Sequence, residues 1–299
     1  MRIGAEGIVV NEMGEVLLIL RDDSRTWAAP GGSLEAGELP TVGVAREVAE
    51  ETGIQVRPVR LVGLYHRPDD YLILSFRCLA TGGQLTPSDE SPQVGFHRAN
   101  DLPKPIFALH RERLQRGLAH DGGRPHWGQQ RLPSSVVAMR AAVYAVKNVR
   151  RLLRGGGWYQ SPAAWQVAAN VVIHNQEGAI LWVKRTDHDL WNLPGGGCER
   201  REAPWQAAMR EAREETGLHV QLTGLSGVYV KPAKQEMIFV FTAGVIGGRL
   251  TTGPESAAFA YFRPGEEPAN SLPKQVERAV DASRPVKDPL FRVQENTVQ

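Results

Sequence analysis

Two stretches of the chain carry three glutamates at helical spacing: Glu47, Glu50 and Glu51, then Glu211, Glu214 and Glu215. Residues at i, i+3 and i+4 project from roughly one face of a helix, so like charges stack there. That stacking destabilises a helix unless a cation gathers the carboxylates. A hard divalent ion such as Mg2+ takes oxygen ligands and leaves positions for water and phosphate. Each trio follows a Pro-Gly-Gly loop, Pro30-Gly31-Gly32 or Pro194-Gly195-Gly196, whose missing Cβ atoms let backbone approach a ligand closely. Carboxylates, a divalent ion and a bare loop together describe a site for phosphate chemistry. The competing reading of either trio alone is a solvated acidic face.

The elements that must position these residues occur twice. Residues 3–68 align without a gap against 167–232, and more than a third of the aligned letters are identical. Gly14 meets Gly178, Arg21 meets Arg185, Trp27 meets Trp191, and Tyr65 meets Tyr229. One inserted residue then shifts the register, after which Glu90-Ser91 meets Glu255-Ser256. A duplication of this kind sets the fold before any local detail does. Within each copy, Gly4–Val10 and Val16–Leu20, or Val167–His174 and Ile180–Lys184, read as strands around a glycine turn. The Pro-Gly-Gly loop leads to helices over Pro40–Thr52 and Pro204–Thr216, opened by proline and stopped by Gly53 and Gly217. Further strands follow at Leu61–Tyr65 and Leu72–Leu79, and at Leu225–Val230 and Met237–Val245. Strands with interleaved helices imply an α/β or α+β sandwich.

The wider spacing removes most of the doubt about the acidic helices. Gly32, five residues, Glu38, seven residues, then Arg46-Glu47-Val48-Ala49-Glu50-Glu51-Thr52-Gly53-Ile54 is similar to the Nudix box. Gly196, Glu202 and Arg210-Glu211-Ala212-Arg213-Glu214-Glu215-Thr216-Gly217-Leu218 repeat it, with Ala212 in place of the usual larger apolar residue. The chain therefore resembles a tandem Nudix hydrolase. That resemblance implies two α/β/α sandwiches with mixed sheets, and Mg2+- or Mn2+-dependent hydrolysis of a nucleoside diphosphate linked to another moiety. By similarity, Glu47, Glu50, Glu51 and the Gly31 carbonyl would hold metal in the first copy. Glu211, Glu214, Glu215 and the Gly195 carbonyl would do so in the second. Arg46 and Arg210 would orient those carboxylates. The carboxylate that takes the attacking water's proton is either a box glutamate or the loop pair Glu90 and Glu255. Ala212 is expected to lose some packing without removing a ligand.

Outside the box the signals are weaker. Arg21 and Arg185 either clamp a phosphate with their planar forks or form ion pairs at strand ends. Tyr65 and Tyr229 either stack on a nucleobase or fill the core. Trp27 and Trp191 read as loop anchors. Pro68 and Pro232 lie at a distance from the box associated with ADP-ribose-type or nucleotide-sugar enzymes, although a turn also explains a proline. An alternative to two working enzymes is a nucleotide sensor or scaffold, or one catalytic copy with a regulatory partner.

The repeats divide the chain into a first domain over 1–119, a linker over 120–160, a second domain over 161–283 and a polar tail over 284–299. The linker holds Arg124, Arg131, Arg140, Lys147, Arg150, Arg151 and Arg154 against the acid Asp121, so a net charge of +2 conceals a cationic middle. Between Pro133 and Gly155-Gly156-Gly157 it reads as an amphipathic helix, packed between domains in preference to a nucleic acid or an anionic membrane surface. The gap-free repeat suggests that the copies pair as an intramolecular pseudo-dimer. Hydrophobic residues at 42% and charged residues at 23% exclude a disordered or fibrous chain. The two cysteines, Cys78 and Cys198, exclude a disulfide framework and a Cys-rich zinc site, and with no signal-like start or membrane-spanning run they point to the cytoplasm.

Overall fold

The computed structural model describes residues 1–131, 145, 163–285 and 288–295, and the expected linker helix lies outside them. The chain divides into two compact units, one built mainly from 2–121 and the other from 165 onward.

In the first unit, β1 (Arg2–Val9) is the strand around which the layers form. It runs parallel to β6 (Tyr71–Gly83) and antiparallel to β4 (Gly31–Ser33), while β5 (Ile54–Arg67) pairs with β6 and with β8 (His126–Gln129). The resulting mixed sheet has the order β4-β1-β6-β5-β8. Side chains of β1 alternate between the two faces, which explains why a helix lies on each. Gly7 faces α1 (Pro40–Thr52), where an added Cβ would come 2.8 Å from Val48 Cγ2. Ile8 faces α2 (Ala108–Leu118), so closely that a side chain on Gly117 would collide with it. A second sheet, β3 (Trp27–Ala28), β2 (Glu15–Leu20) and β7 (Gln93–Arg98), joins Val16 and Leu18 to Ile8, Val62 and Leu114 in one buried cluster.

The second unit repeats this plan. Its large sheet runs β12 (Gly195–Gly197), β9 (Gln166–Ile173), β14 (Glu236–Gly248), β13 (Leu218–Lys231), β16 (Leu290–Val293). A smaller sheet joins β11 (Trp191–Asn192), β10 (Ile180–Arg185) and β15 (Ser256–Phe262). The helices are α3 (Pro204–Thr216) and α4 (Pro273–Ala282), the latter packing Ala279 against Trp182, Tyr229 and Val240. Both units are α/β/α sandwiches with mixed sheets.

The strands His126–Gln129 and Leu290–Val293 lie in the stretches read from sequence as linker and tail. Each adds a parallel edge strand to its sheet, next to Gly63–His66 and Gly227–Val230. Four residues of strand carry too little alternation to be read as one. Among the described residues no helix is long and apolar enough to cross a membrane.

Candidate active sites

Helices α1 and α3 begin with proline in the first turn and end on Gly53 and Gly217 at φ of 74° and 76°, the left-handed cap that glycine adopts freely. The buried face of α1 contains Gly43, Val44 and Val48, and also Glu51. Glu51 is only 7% exposed, and its Oε2 accepts the Gly31 N–H at 2.7 Å. Glu215 Oε2 accepts the Gly195 N–H at 2.8 Å in the same way. The glycines are required: φ is 154° at Gly31 and 150° at Gly195, and an added Cβ would run into the Ala5 or Ala169 carbonyl. One residue on, a Cβ at Gly32 or Gly196 would enter the Glu47 or Glu211 carboxylate.

The glutamates therefore do not share one solvent-facing environment. Glu50 and Glu214 are open, with side chains 59% and 60% exposed, whereas Glu47 and Glu211 are 15% and 12% exposed. Arg46 sets this arrangement. It donates to both oxygens of Glu38 at 2.9 Å, to Glu47 at 2.9 Å, to Glu50 at 3.2 Å and to the Ser33 carbonyl. Arg210 makes the matching set with Glu202, Glu211, Glu214 and the Gly197 carbonyl. The planar fork suits this role because it meets several carboxylates in fixed directions. Glu38 and Glu202, box letters without an assigned role at the outset, are the bidentate anchors of that fork. Against burial, the Arg46 hydrogen bonds hold Glu38 below the usual carboxylate range.

Desolvation works the other way on the inner glutamates. Burial pushes Glu51 up to about 7, opposed by the Gly31 amide and Arg21 and reinforced by Glu47 and Glu90. Glu215 is also pushed up to about 7, by burial first and then by Glu211 and Glu255. Burial raises Glu47 and Glu211 as well, with Arg46 and Arg210 opposing. Among the described residues, no three His, Cys, Asp or Glu side chains already form a closed cation cage. The donor chemistry nevertheless fits a hard divalent ion: carboxylates gather beside a glycine backbone, with no imidazole among them. Burial, with Glu202 and Glu211, pushes the neighbouring Cys198 thiol up to about 12, so it stays protonated in the metal-free chain.

The loop residues differ in fate. Arg21 pairs with Asp23 at 3.0 Å and Arg185 with Asp187 at 2.6 Å, so both make the strand-end ion pair. Both also stand in the field of the site. Burial would lower Arg21, yet Asp23, Glu51 and Glu90 hold it above its ordinary range. The Asp22 amide donates to the Glu90 carbonyl at 3.0 Å and the Thr186 amide to Glu255 at 3.2 Å, tying each loop glutamate beside its arginine strand. Tyr65 and Tyr229 are 1% and 0% exposed, which corrects the stacking role. A ring enclosed by core on both sides has no face for a base, and Tyr229 Oη donates to Asp281 at 2.8 Å instead. Pro68 and Pro232 open the turns that follow β5 and β13. Trp27 and Trp191 pack edge-on against His97 and Phe262.

The smaller Ala212 goes with a larger residue on β9. Its counterpart Val48 lies over Gly7, whereas Ala212 belongs to a copy with Val171 at the Gly7 position, and both Ala212 and Val171 are 0% exposed. Volume has moved from helix to strand.

The model of the NUDIX domain matches residues 1–117 and 164–282. The chain belongs to the Nudix family. It is a tandem Nudix hydrolase, one domain per unit, and the family's pyrophosphohydrolase chemistry agrees with the carboxylate sites. A MutT-like protein of Streptomyces ambofaciens is 40% identical over 125 residues, 42% of this chain and 80% of that protein. An 8-oxo-dGDP phosphatase of Mus musculus is 34% identical over 143 residues, 44% of each chain. Among solved structures, the MutT protein of Bacillus halodurans is similar at 26% identity and a TM-score of 0.41, covering 45% of this chain and 92% of that one.

Proposed function

We propose that both copies hydrolyse a nucleoside diphosphate linked to another moiety, each with Mg2+ or Mn2+ at its own glutamates. The observation that carries this is the repetition of one arrangement: an inner glutamate on a glycine amide, and an arginine fork on the other carboxylates. A module kept only to bind would need neither set twice. Glu47, Glu50, Glu51 and the Gly31 carbonyl would hold the ion in the first copy, and Glu211, Glu214, Glu215 and the Gly195 carbonyl in the second. When bound, the ion supplies charge neutralisation at the phosphoryl oxygens and acidifies a water. Arg46 and Arg210 keep the carboxylates turned toward the glycine loop. Glu51 and Glu215, raised toward neutrality by burial, are matched to proton transfer and accept the water's proton, with Glu90 and Glu255, tied beside the arginine strands, as the alternative. Arg21 and Arg185 are placed to receive phosphate charge if they exchange their aspartate partners for it.

The substrate panel includes ADP-ribose and nucleotide sugars, suggested by Pro68 and Pro232, and oxidised guanine nucleotides, suggested by the mouse relative's activity. Turnover of that panel is measured with Mg2+ or Mn2+ for wild type, Glu51→Gln, Glu215→Gln and the double variant. Loss divided between the singles and complete in the double supports two working sites. Loss confined to one single variant makes the other copy a regulatory partner. Wild-type turnover in the double variant overturns the assignment.

A further inference from the structure

The loop glycine of each copy lies against a different partner on the neighbouring strand. Glu6 on β1 stands opposite Gly31, and Asn170 on β9 stands opposite Gly195. The approach is close: a Cβ on Gly31 would come 2.9 Å from Glu6 Cβ, and one on Gly195 would meet Asn170 Nδ2. In the first copy Arg113 Nε and Nη2 donate to the two oxygens of Glu6 at 2.8 and 2.9 Å, and Ser75 donates to one of them. The pair is buried, Arg113 at 4% exposure and Glu6 at 7%, so the two charges cancel beside the loop. In the second copy Val240 takes the place of Ser75 in the register. Arg278, 3% exposed, donates to Asn170 Oδ1 at 2.9 Å and to Gln294 Oε1 at 2.7 Å. Both acceptors are neutral, and Arg278 Nε has no partner among the described residues.

The carboxylates around Arg278 do not replace Glu6. Glu277 and Asp281 are paired with Arg292, which lies on β16, at the edge of the sheet opposite β12 and Gly195. Glu236 is paired with Lys231 at 2.8 Å. Burial pushes the Arg278 guanidinium down to about 10, which leaves it charged at neutral pH. The second copy therefore holds a positive charge without a contacting carboxylate, one side chain away from the Gly195 loop, where the first holds a neutral pair. That charge repels a cation entering the loop, and because it is buried, salt screens it little. Arg213, beside Glu214 where the first copy has Ala49, acts in the same direction from an exposed and screened position. The Gly195 amide in turn holds Glu215, so the asymmetry reaches the glutamates themselves.

We propose that the two glutamate sites differ in affinity for a divalent ion, the Asn170–Arg278 contact making the second the weaker, so that the copies load in sequence as the ion rises. This rests on the reading of the box glutamates as ion ligands. The test is a Mn2+ titration of the full chain without nucleotide, the free ion being read by electron paramagnetic resonance. Expected are two sites per chain whose Kd values differ at least tenfold, the tighter lost in Glu51→Gln and the weaker in Glu215→Gln. Asn170→Glu should tighten the weaker site at least threefold, and Glu6→Asn should weaken the tighter one. Arg278→Gln should also tighten the weaker site, which separates charge from the shape of the residue at 170. Circular-dichroism melts establish that each variant is folded, and either Asn170→Glu or Arg278→Gln suffices for the test. The gap should persist in about 0.5 M KCl, where exposed charges are screened. Two equal sites, a tighter second copy, a gap abolished by salt, or one unchanged in both variants would overturn the proposal and leave the ion assignment standing. Absence of Mn2+ binding, or binding unaffected by both glutamate variants, would overturn the two together.

Discussion

Glu51 accepts the amide proton of Gly31 at 2.7 Å, joining the buried face of α1 to the loop that precedes it by twenty residues. The bond turns a carboxylate inward on a helix that leaves Glu50 open to solvent, and it requires the backbone at Gly31 to hold a φ of 154°. Gly31→Ala should therefore strain the loop and push it off Glu51, costing about 2 kcal/mol or more. Measured in a Glu215→Gln background, first-copy turnover should fall by at least two orders of magnitude. Full activity in that variant would mean that the loop is not part of the site.

The pH dependence of stability follows from the same residue. Glu51 has an ordinary value of 4.5 and is raised to about 7 in the fold, mainly by burial. Between those values the folded state binds more protons than the unfolded one, so stability falls as pH rises through this window. For this nearly enclosed group the loss is about 3 kcal/mol. Thermal melts of the metal-free protein should show the Tm declining from pH 5 to 7.5. Glu51→Gln should remove its share of the decline and leave that of Glu215, and added Mg2+ should oppose it by favouring the ionised form.

Arg46 tests the value of a planar fork. Lysine retains the charge but cannot reach Glu38, Glu47, Glu50 and the Ser33 carbonyl together. Arg46→Lys should reduce first-copy kcat at least tenfold while shifting stability by only about 1 kcal/mol. Raising the Mg2+ concentration should recover part of the rate, because the carboxylates lose their orientation and keep their charge. A variant with wild-type metal dependence would remove Arg46 from the positioning role.

Much of this architecture is legible in the letters because the chain contains it twice. Prolines, capping glycines and glutamates at fixed spacing specify α1 and α3 end to end, since each acts through local backbone chemistry. The inward turn of Glu51 is not local. It depends on β1 placing Ala5 and Glu6 against Gly31, a tertiary contact that helical periodicity does not encode. The same limit hides the edge strands at 126–129 and 290–293, whose pairing is decided by the strands beside them. For Tyr65 and Tyr229 the letters leave base stacking and a core role both open, and burial decides for the core. The Glu6-to-Asn170 difference was visible in the alignment, but its meaning requires knowing that Arg113 and Arg278 lie opposite.

The exchange of volume between β1 and α1 predicts a measurable coupling. Gly7→Val alone places a branched side chain against Val48 and should cost about 1–3 kcal/mol by overpacking. Val48→Ala alone opens a cavity in a fully buried site and should cost a similar amount or more. Together they reproduce the Val171–Ala212 pair of the second unit, so the double variant should be more stable than the sum of the singles by about 1–3 kcal/mol. Urea unfolding of the four proteins measures that term. Strict additivity would show that the two positions do not share their space.

The Glu6–Arg113 pair makes the sharpest stability prediction, because the second unit shows what its loss entails. Glu6→Ala leaves the Arg113 charge buried with Gln130 and His110 as its remaining hydrogen-bond partners among the described residues, and should cost about 3–5 kcal/mol. Glu6→Asn should cost less, since Asn170 demonstrates that an amide can accept from the same guanidinium. Removing both charges, as Glu6→Gln with Arg113→Met, should recover much of the loss by ending the desolvation of an ion. The ordering Glu6→Ala below Glu6→Asn below the double variant, read from urea midpoints, is the expected result. A double variant no more stable than Glu6→Ala would mean that the pair stabilises the unit by packing and not by cancelling charge.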